Sequence, residues 1–377
     1  MPPIFKLAVH LVSRFRRSYP PCSMRSYERR NQRDTSNSMI SSAALDLTFL
    51  RRTRRNTGRN VKSAALAAGL CASVALAGAG TASAQTYGLA TMAPGTLAHT
   101  AASAIAKVLK EKGGLNTLVQ PTAGETVLIP MVAKGEIDMG TANMLEVLDG
   151  VETGKLQNDL RVFGSIYTLR IGFFSRKDSG IVTVADLKGK RVPAGYSAMR
   201  TLDKNSLAML ATAGLTLGDI KPVMVPNVLR GADDFVAGAN DTFMFSFGGP
   251  KVREADATVG GVRALAIIDT PEGLEASRKV FPYGYFVEVK PGAVYVGVEK
   301  PMKAYSMDYV MFTNAKAKDE TVYKILDTMM KNKPDLIAVA PVLNDLTPDL
   351  IHRKHALAYH PGALKYFQDN KIDAKAY

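Results

Sequence analysis

The chain has 377 residues, 46% of them hydrophobic and 22% charged, which suits a folded protein of about two domains at roughly 150 residues each. Its formal charge of +14 invites a polyanionic partner, but residues 1–84 hold 14 Lys and Arg against 3 Asp and Glu, and the rest of the chain holds 34 against 31. A nucleic-acid-binding surface is therefore not indicated for the body. Because Cys22 and Cys71 both precede residue 85, a disulfide framework, a thiol nucleophile and cysteine-ligated metal are excluded there as well.

The chain opens on a leader. Arg51, Arg52, Arg54, Arg55, Arg59 and Lys62 form a positive segment, Ser63–Gly80 is an Ala-rich apolar run, and Ala82-Ser83-Ala84 precedes Gln85. These are the three parts of a secretory signal peptide, with cleavage expected after Ala84 and export to the periplasm or beyond. A transmembrane anchor is the alternative, but the run is weakly hydrophobic and ends in a cleavage site. Cys71 follows Leu70 rather than a small residue, which argues against a lipoprotein anchor. The Arg- and Ser-rich stretch 1–60 exceeds what export requires, so translation is expected to begin at Met39 or Val61. No other segment reaches 18 uninterrupted apolar residues, and a soluble body is expected.

In chain order, the body alternates short apolar runs with helical periodicity, the pattern of α/β layers. Strands are expected at Tyr87–Thr91, Leu118–Gln120 and Ile137–Thr141, each followed by a turn or short break and a helix. Parallel strands joined in this way place their strand-to-helix loops at one sheet edge, where ligands bind. Leu160–Ser175 is a long strand with Arg170 in its middle. A second unit repeats the scheme: a strand near Gly189–Val192, a helix over Leu202–Leu210, a strand at Val223–Val225, a helix over Val228–Val236 and a strand at Thr242–Phe247. A late strand at Tyr309–Thr313 leads to a helix over Asp319–Met330, and the tail reads as helical apart from a turn at His360-Pro361-Gly362. No low-complexity linker divides the body, so two intimate lobes are expected.

Three stretches carry a resemblance. Thr91-Met92-Ala93-Pro94-Gly95-Thr96 is a Gly-containing strand-to-helix loop, and Gln120-Pro121-Thr122-Ala123-Gly124 is followed by Gly135-Glu136-Ile137-Asp138-Met139-Gly140. Asp186-Leu187-Lys188-Gly189-Lys190-Arg191-Val192 is the third. In this order and spacing they resemble the TAXI family of extracellular solute receptors that serve tripartite ATP-independent periplasmic (TRAP) transporters, over about Tyr87–Phe367. Gly248-Gly249-Pro250 and His360-Pro361-Gly362-Ala363 add weaker support. The resemblance implies an α/β, two-lobed type II periplasmic-binding-protein fold with two crossover strands and a central ligand cleft. The crossovers are expected near Arg170–Phe174 and Ser306–Phe312. One lobe then comprises residues 85–171 and 305–377, and the other residues 172–304. The chain departs from the family pattern at Leu97-Ala98-His99 and at Ala198-Met199-Arg200-Thr201, both on expected ligand-facing loops.

Two constellations suggest other chemistry. Gly195-Tyr196-Ser197-Ala198-Met199 nearly spells the Gly-x-Ser-x-Gly nucleophile elbow, with His352, His355 and His360 downstream as partners for a serine hydrolase. Met199 in place of the last Gly weakens that reading, and a turn offering backbone N–H groups to an anion accounts for the same residues. The three histidines could instead hold zinc, but Pro361 interrupts the helix and no carboxylate lies among them.

The expectation is therefore a non-enzymatic, monomeric, exported receptor without cofactor or metal. The resemblance implies that it closes on a small, carboxylate-bearing organic anion, such as a C4–C5 dicarboxylate or an amino-acid-like molecule, and delivers it to a TRAP-type permease; the alternatives are a sensor lacking its own permease and the serine hydrolase above. Arg170 and Arg200 are the candidate carboxylate grips, since a guanidinium offers two parallel N–H bonds. Thr91, Ala93, Gly95, Thr96, Thr122, Gly124, Asn143, Tyr196, Ser197, Thr201 and Gly248 complete the expected contacts, with Phe247 and Tyr295 as apolar cover. The Ser and Thr side chains among them are equally suited to capping helices.

Overall fold

A computed structural model describes residues 85–152 and 159–376. The leader, the cleavage point after Ala84, and the candidate starts Met39 and Val61 lie outside the described residues.

Three strand–helix units open the body. β1 (Thr86–Met92) leads to α1 (Leu97–Glu111), β2 (Asn116–Thr122) to α2 (Glu125–Ala133), and β3 (Met139–Asn143) to α3 (Met144–Glu152). β1 pairs in parallel with both β2 and β3, so the strand ends at Met92, Thr122 and Asn143 share one edge. The first unit shows how the sequence enforces this. Gly95 adopts φ +93°, which a side chain would strain. Thr96 then caps α1, its Oγ1 accepting from the His99 N–H at 3.1 Å. Ala101, Ile105, Val108 and Leu109 bury one face of the helix against the sheet.

Two long strands carry the chain between lobes. β4 (Leu160–Arg176) and β10 (Met302–Asn314) pair antiparallel from Leu160↔Asn314 to Ile171↔Tyr305. At its C-terminal half β10 pairs with β3, and at its N-terminal half with β9 (Tyr285–Val289). The far end of β4 pairs with β7 (Thr242–Ser246) and β8 (Val262–Ala264). A register shift between Tyr309 and Val310 breaks the alternation of side chains, as a bulge does. Tyr167 and Tyr309 therefore stack on one face of the pair, with ring centroids 4.7 Å apart, while Ser165 and Asp308 hydrogen-bond on the other at 2.7 Å.

The second lobe adds a parallel pair, β5 (Arg191–Ala194) with β6 (Lys221–Met224), and the helices α4 (Thr201–Ala211), α5 (Val228–Val236), α6 (Pro250–Val259) and α7 (Pro271–Val280). The chain then returns to the first lobe through β10 and finishes with α8 (Asp319–Lys331), α9 (Lys333–Val339), α10 (Pro348–Ile351) and α11 (Pro361–Asp369). Two α/β lobes joined by two crossover strands constitute the type II periplasmic-binding-protein arrangement. Among the described residues no helix is long and apolar enough to cross a membrane.

Three expectations need correction. The third strand starts at Met139 rather than Ile137, because Asp138 turns back to accept the Gly88 N–H at 2.7 Å. The late strand is longer than its apolar core, beginning at Met302. The tail is several short helices, because Pro341, Pro348 and Pro361 each start a new one and cannot continue the last. His352 and His355 consequently lie beyond the end of α10 and share no helix face.

Candidate functional site

The loops at the shared edge of the first lobe meet the loops of the second directly. A Cβ at Gly124 would collide with the Ala198 carbonyl, which is why α2 can begin there only with glycine before it. The Thr126 N–H donates to Ala198 O at 3.2 Å, Asn227 Nδ2 to Ala123 O at 3.3 Å, and the Lys251 N–H to Gly95 O at 3.2 Å. At the rim, Lys204 pairs with Asp149 at 2.6 Å and the Tyr283 hydroxyl donates to Glu152 at 3.2 Å.

The strongest bridge is Glu146 on α3. It is buried, and its carboxylate accepts from the N–H groups of Thr201 at 2.9 Å and Arg200 at 3.2 Å and from the Thr201 hydroxyl at 2.6 Å. The Thr126 hydroxyl donates to the same carboxylate. The positive end of α4, a natural seat for an anion, thus holds a carboxylate from the opposite lobe.

Beneath these contacts lies a cavity of about 40 Å³ on the face of β4 and β10 that carries the stacked tyrosines. Met92, Met199, Met244 and Met307 give it an apolar wall, and Thr96, Glu125, Asn143, Tyr167, Ser246 and Tyr309 supply polar atoms. Glu125 is 1% exposed. Its two oxygens accept from the Asn143 N–H at 3.0 Å and from the Asn143 side-chain amide, and Asn143 Oδ1 in turn accepts the Glu146 N–H at 2.9 Å. Burial, and then the neighbouring charge of Glu146, push the Glu125 carboxyl up to about 7. The hydroxyls of Tyr167 and Tyr309 are buried and make no hydrogen bond of good geometry, although Tyr309 lies against Glu125.

Of the residues expected to bind, Thr96 and Asn143 line this cavity. Gly95, Gly124, Arg200 and Thr201 lie instead in the contact between the lobes, through backbone atoms and the Thr201 hydroxyl. Thr91 and Thr122 tie strand ends together: Thr122 Oγ1 donates to the Thr91 carbonyl at 3.1 Å, and Thr141 Oγ1 to Thr91 Oγ1 at 3.2 Å. The Ala93 carbonyl accepts from the Thr96 hydroxyl. Tyr196 is buried, Ser197 is exposed, and neither lines the cavity. Phe247 packs into an aromatic cluster with Phe174 and Tyr295, beside Gly248.

Neither of the two arginines expected as carboxylate grips lines this cavity. Arg170 is held by Asp345 at 2.8 Å and by the Thr168 carbonyl at 3.0 Å, on the face away from the cavity. Arg200 is exposed, and only its backbone N–H reaches the site. Glu125, Glu146, Tyr167 and Tyr309 were missed. An acid opening a helix and tyrosines inside strands read as ordinary capping and core positions.

The histidines do not assemble around Ser197. His360 accepts the Gly362 N–H at the start of α11, and its other ring nitrogen lies 3.1 Å from the Ala317 carbonyl. His352 stacks on Phe367, and His355 sits 2.9 Å from Ser165. Among the described residues no group of three or more His, Cys, Asp or Glu side chains is placed to hold a metal.

Compared with known proteins, residues 89–370 match the profile of the NMT1-like family. The chain belongs to the NMT1-like family. Among solved structures, a periplasmic transporter matches this NMT1-like chain with a TM-score of 0.51 at 13% identity, over 77% of this chain and 94% of that one. The alkanesulfonate-binding protein SsuA from Xanthomonas axonopodis pv. citri, bound to MOPS, matches with a TM-score of 0.44 at 15% identity, over 78% and 98%. The aliphatic sulphonate binding protein SsuA from Escherichia coli matches with 0.44 at 14%, over 76% and 88%. At 13% identity the likeness to the periplasmic transporter is one of fold.

Proposed function

We propose that this NMT1-like protein is an exported, periplasmic solute receptor that captures a small molecule by closing residues 85–171 with 305–377 against residues 172–304, and passes it to an integral-membrane permease. The observation that carries this reading is the cavity itself. It is lined by residues of both lobes and of the crossover strands, and backbone hydrogen bonds join the opposing loops beside it, which is the geometry of hinge closure. Solute contacts from both lobes favour the closed form, and a permease recognises that form.

A TRAP-type permease and membership of the TAXI group are supported by the order and spacing of the three motifs around Gly95, Gly124 and Gly189. The organic anion was implied by the resemblance, with Arg170 and Arg200 as its candidate grips; neither guanidinium lines the cavity, and the receptor reading stands without that part. Binding without turnover accounts for a Ser197 around which His352, His355 and His360 do not assemble, each being engaged elsewhere.

Mass spectrometry of the freshly purified mature chain, with solution scattering before and after stripping bound solute, tests this. A released small molecule and a larger radius of gyration after stripping are expected. Identical profiles with nothing released would overturn the reading.

A further inference from the structure

The chemistry of the cavity is one-sided. Among its described lining residues Glu125 is the only acid and there is no Lys, Arg or His. Both Glu125 oxygens are already engaged by Asn143, yet each carboxylate oxygen can accept more than one hydrogen bond. Beside it stand two phenol oxygens, Tyr167 and Tyr309, buried and without a well-formed hydrogen bond.

The donors that an acidic solute would use are taken. The N–H groups of Arg200 and Thr201 and the Thr201 hydroxyl all point at Glu146. An incoming carboxylate would have to displace a buried, charge-assisted set of hydrogen bonds and would then sit close to a second acid.

Resting on the receptor reading, we propose that the solute is a small cationic nitrogen compound, a primary ammonium or a guanidinium on an apolar stem. Its N–H groups would donate to Glu125 and to the phenol oxygens of Tyr167 and Tyr309, with the stem against the methionine wall and Glu146 standing where an acidic solute would place its own carboxylate. An ammonium has three donors and no acceptor, which matches a carboxylate flanked by two phenol oxygens that can each accept. A buried carboxylate needs such a partner to remain charged.

The reading carries a pH signature. The groups facing Glu125 are Tyr309 on β10, Tyr167 on β4 and Glu146 on α3, and none supplies a positive charge. With the Glu125 carboxyl at about 7, a cation binds its ionised form, so uptake is accompanied by proton loss in mildly acidic solution. Affinity should rise about tenfold per pH unit up to neutrality and level off above it.

The test is a calorimetric comparison on the mature chain of three matched sets: butylamine, putrescine and agmatine; 1-butanol and isovaleramide; butyrate, succinate and glutarate. Binding confined to the amines, strengthening with pH as above, is expected. Glu125→Gln keeps an oxygen for Asn143 and should weaken amine binding by about 30-fold or more, and Tyr309→Phe should weaken it less. Parent-like amine affinity in a folded Glu125→Gln variant overturns the inference. So does binding of an acid or a neutral compound in preference to every amine, which leaves the receptor reading intact. If nothing from the three sets binds and no solute co-purifies, the receptor reading itself falls, and this inference with it.

Discussion

The two faces of the crossover pair are built from the same strands but solve the problem of buried polar groups in opposite ways. On the face away from the cleft, Asp308 is 1% exposed and fully engaged: it accepts from Ser165 at 2.7 Å, Tyr285 at 2.6 Å and Arg353 at 2.8 Å. On the cleft face, the buried hydroxyls of Tyr167 and Tyr309 make no hydrogen bond of good geometry, Tyr309 lying against Glu125, and burial pushes the Glu125 carboxyl up to about 7. A completed network fixes structure, and on the first face it ties β4 and β10 together. On the second face the proposed solute would complete what the protein leaves open.

Removing Asp308 should break this comparison most severely. Asp308→Ala removes the buried carboxylate that Arg353, Ser165 and Tyr285 share, so a loss of about 3–5 kcal/mol is expected in urea unfolding. A loss under about 1 kcal/mol would show that the hinge network is not what holds the strands.

The two faces should also differ in the sign of their pH dependence. Glu125 is raised from its ordinary value to about 7, so the stability it contributes is full below its unfolded value and is lost as pH rises to about 7. That contribution is at most about 3 kcal/mol. His355, lowered to about 4 chiefly by burial, contributes stability that is present above its ordinary value near 6.5 and lost as pH falls toward 4. In a pH series of unfolding curves, Glu125→Gln should remove the loss toward neutrality, and His355→Gln should remove the loss toward acid. Parallel curves for parent and Glu125→Gln would place its carboxyl back in the ordinary range.

A smaller effect is expected from Tyr309→Phe. It deletes a hydroxyl that the folded state buries without a good hydrogen bond, so the melting temperature should stay or rise, by the equivalent of at most about 1 kcal/mol. A clear fall would mean that the hydroxyl is satisfied after all. Smallest of all is Arg200→Ala. The exposed side chain contributes nothing that its backbone N–H does not, so stability should change by no more than about 0.5 kcal/mol and solute affinity hardly at all.

Local sequence determined a great deal here. Strand–helix alternation, Gly95 with the Thr96 cap, and the apolar period of α1 and α8 are encoded within a few residues, and those elements lie where the pattern places them. The long apolar run of β4 was legible for the same reason. The segment from Pro250 to Val289 was not, because α6, β8, α7 and β9 are short and carry mean patterns too brief to have a clear period.

The site depended on tertiary structure. The sequence marked the correct loops, but which of them would face a solute and which would face each other is decided only when two lobes meet. Glu146 and Thr201 are far apart in the chain, and nothing local says that one fills the helix end of the other. The shift of register at Tyr309 likewise sends Tyr167 and Tyr309 into the cleft and Ser165 and Asp308 to the back, an outcome that alternation alone would misassign. Arginine looked like the natural grip because its chemistry is conspicuous in any sequence. Burial decided otherwise, since it leaves Arg200 in water and encloses an unremarkable Glu125 as the one acid among the described residues that line the cavity.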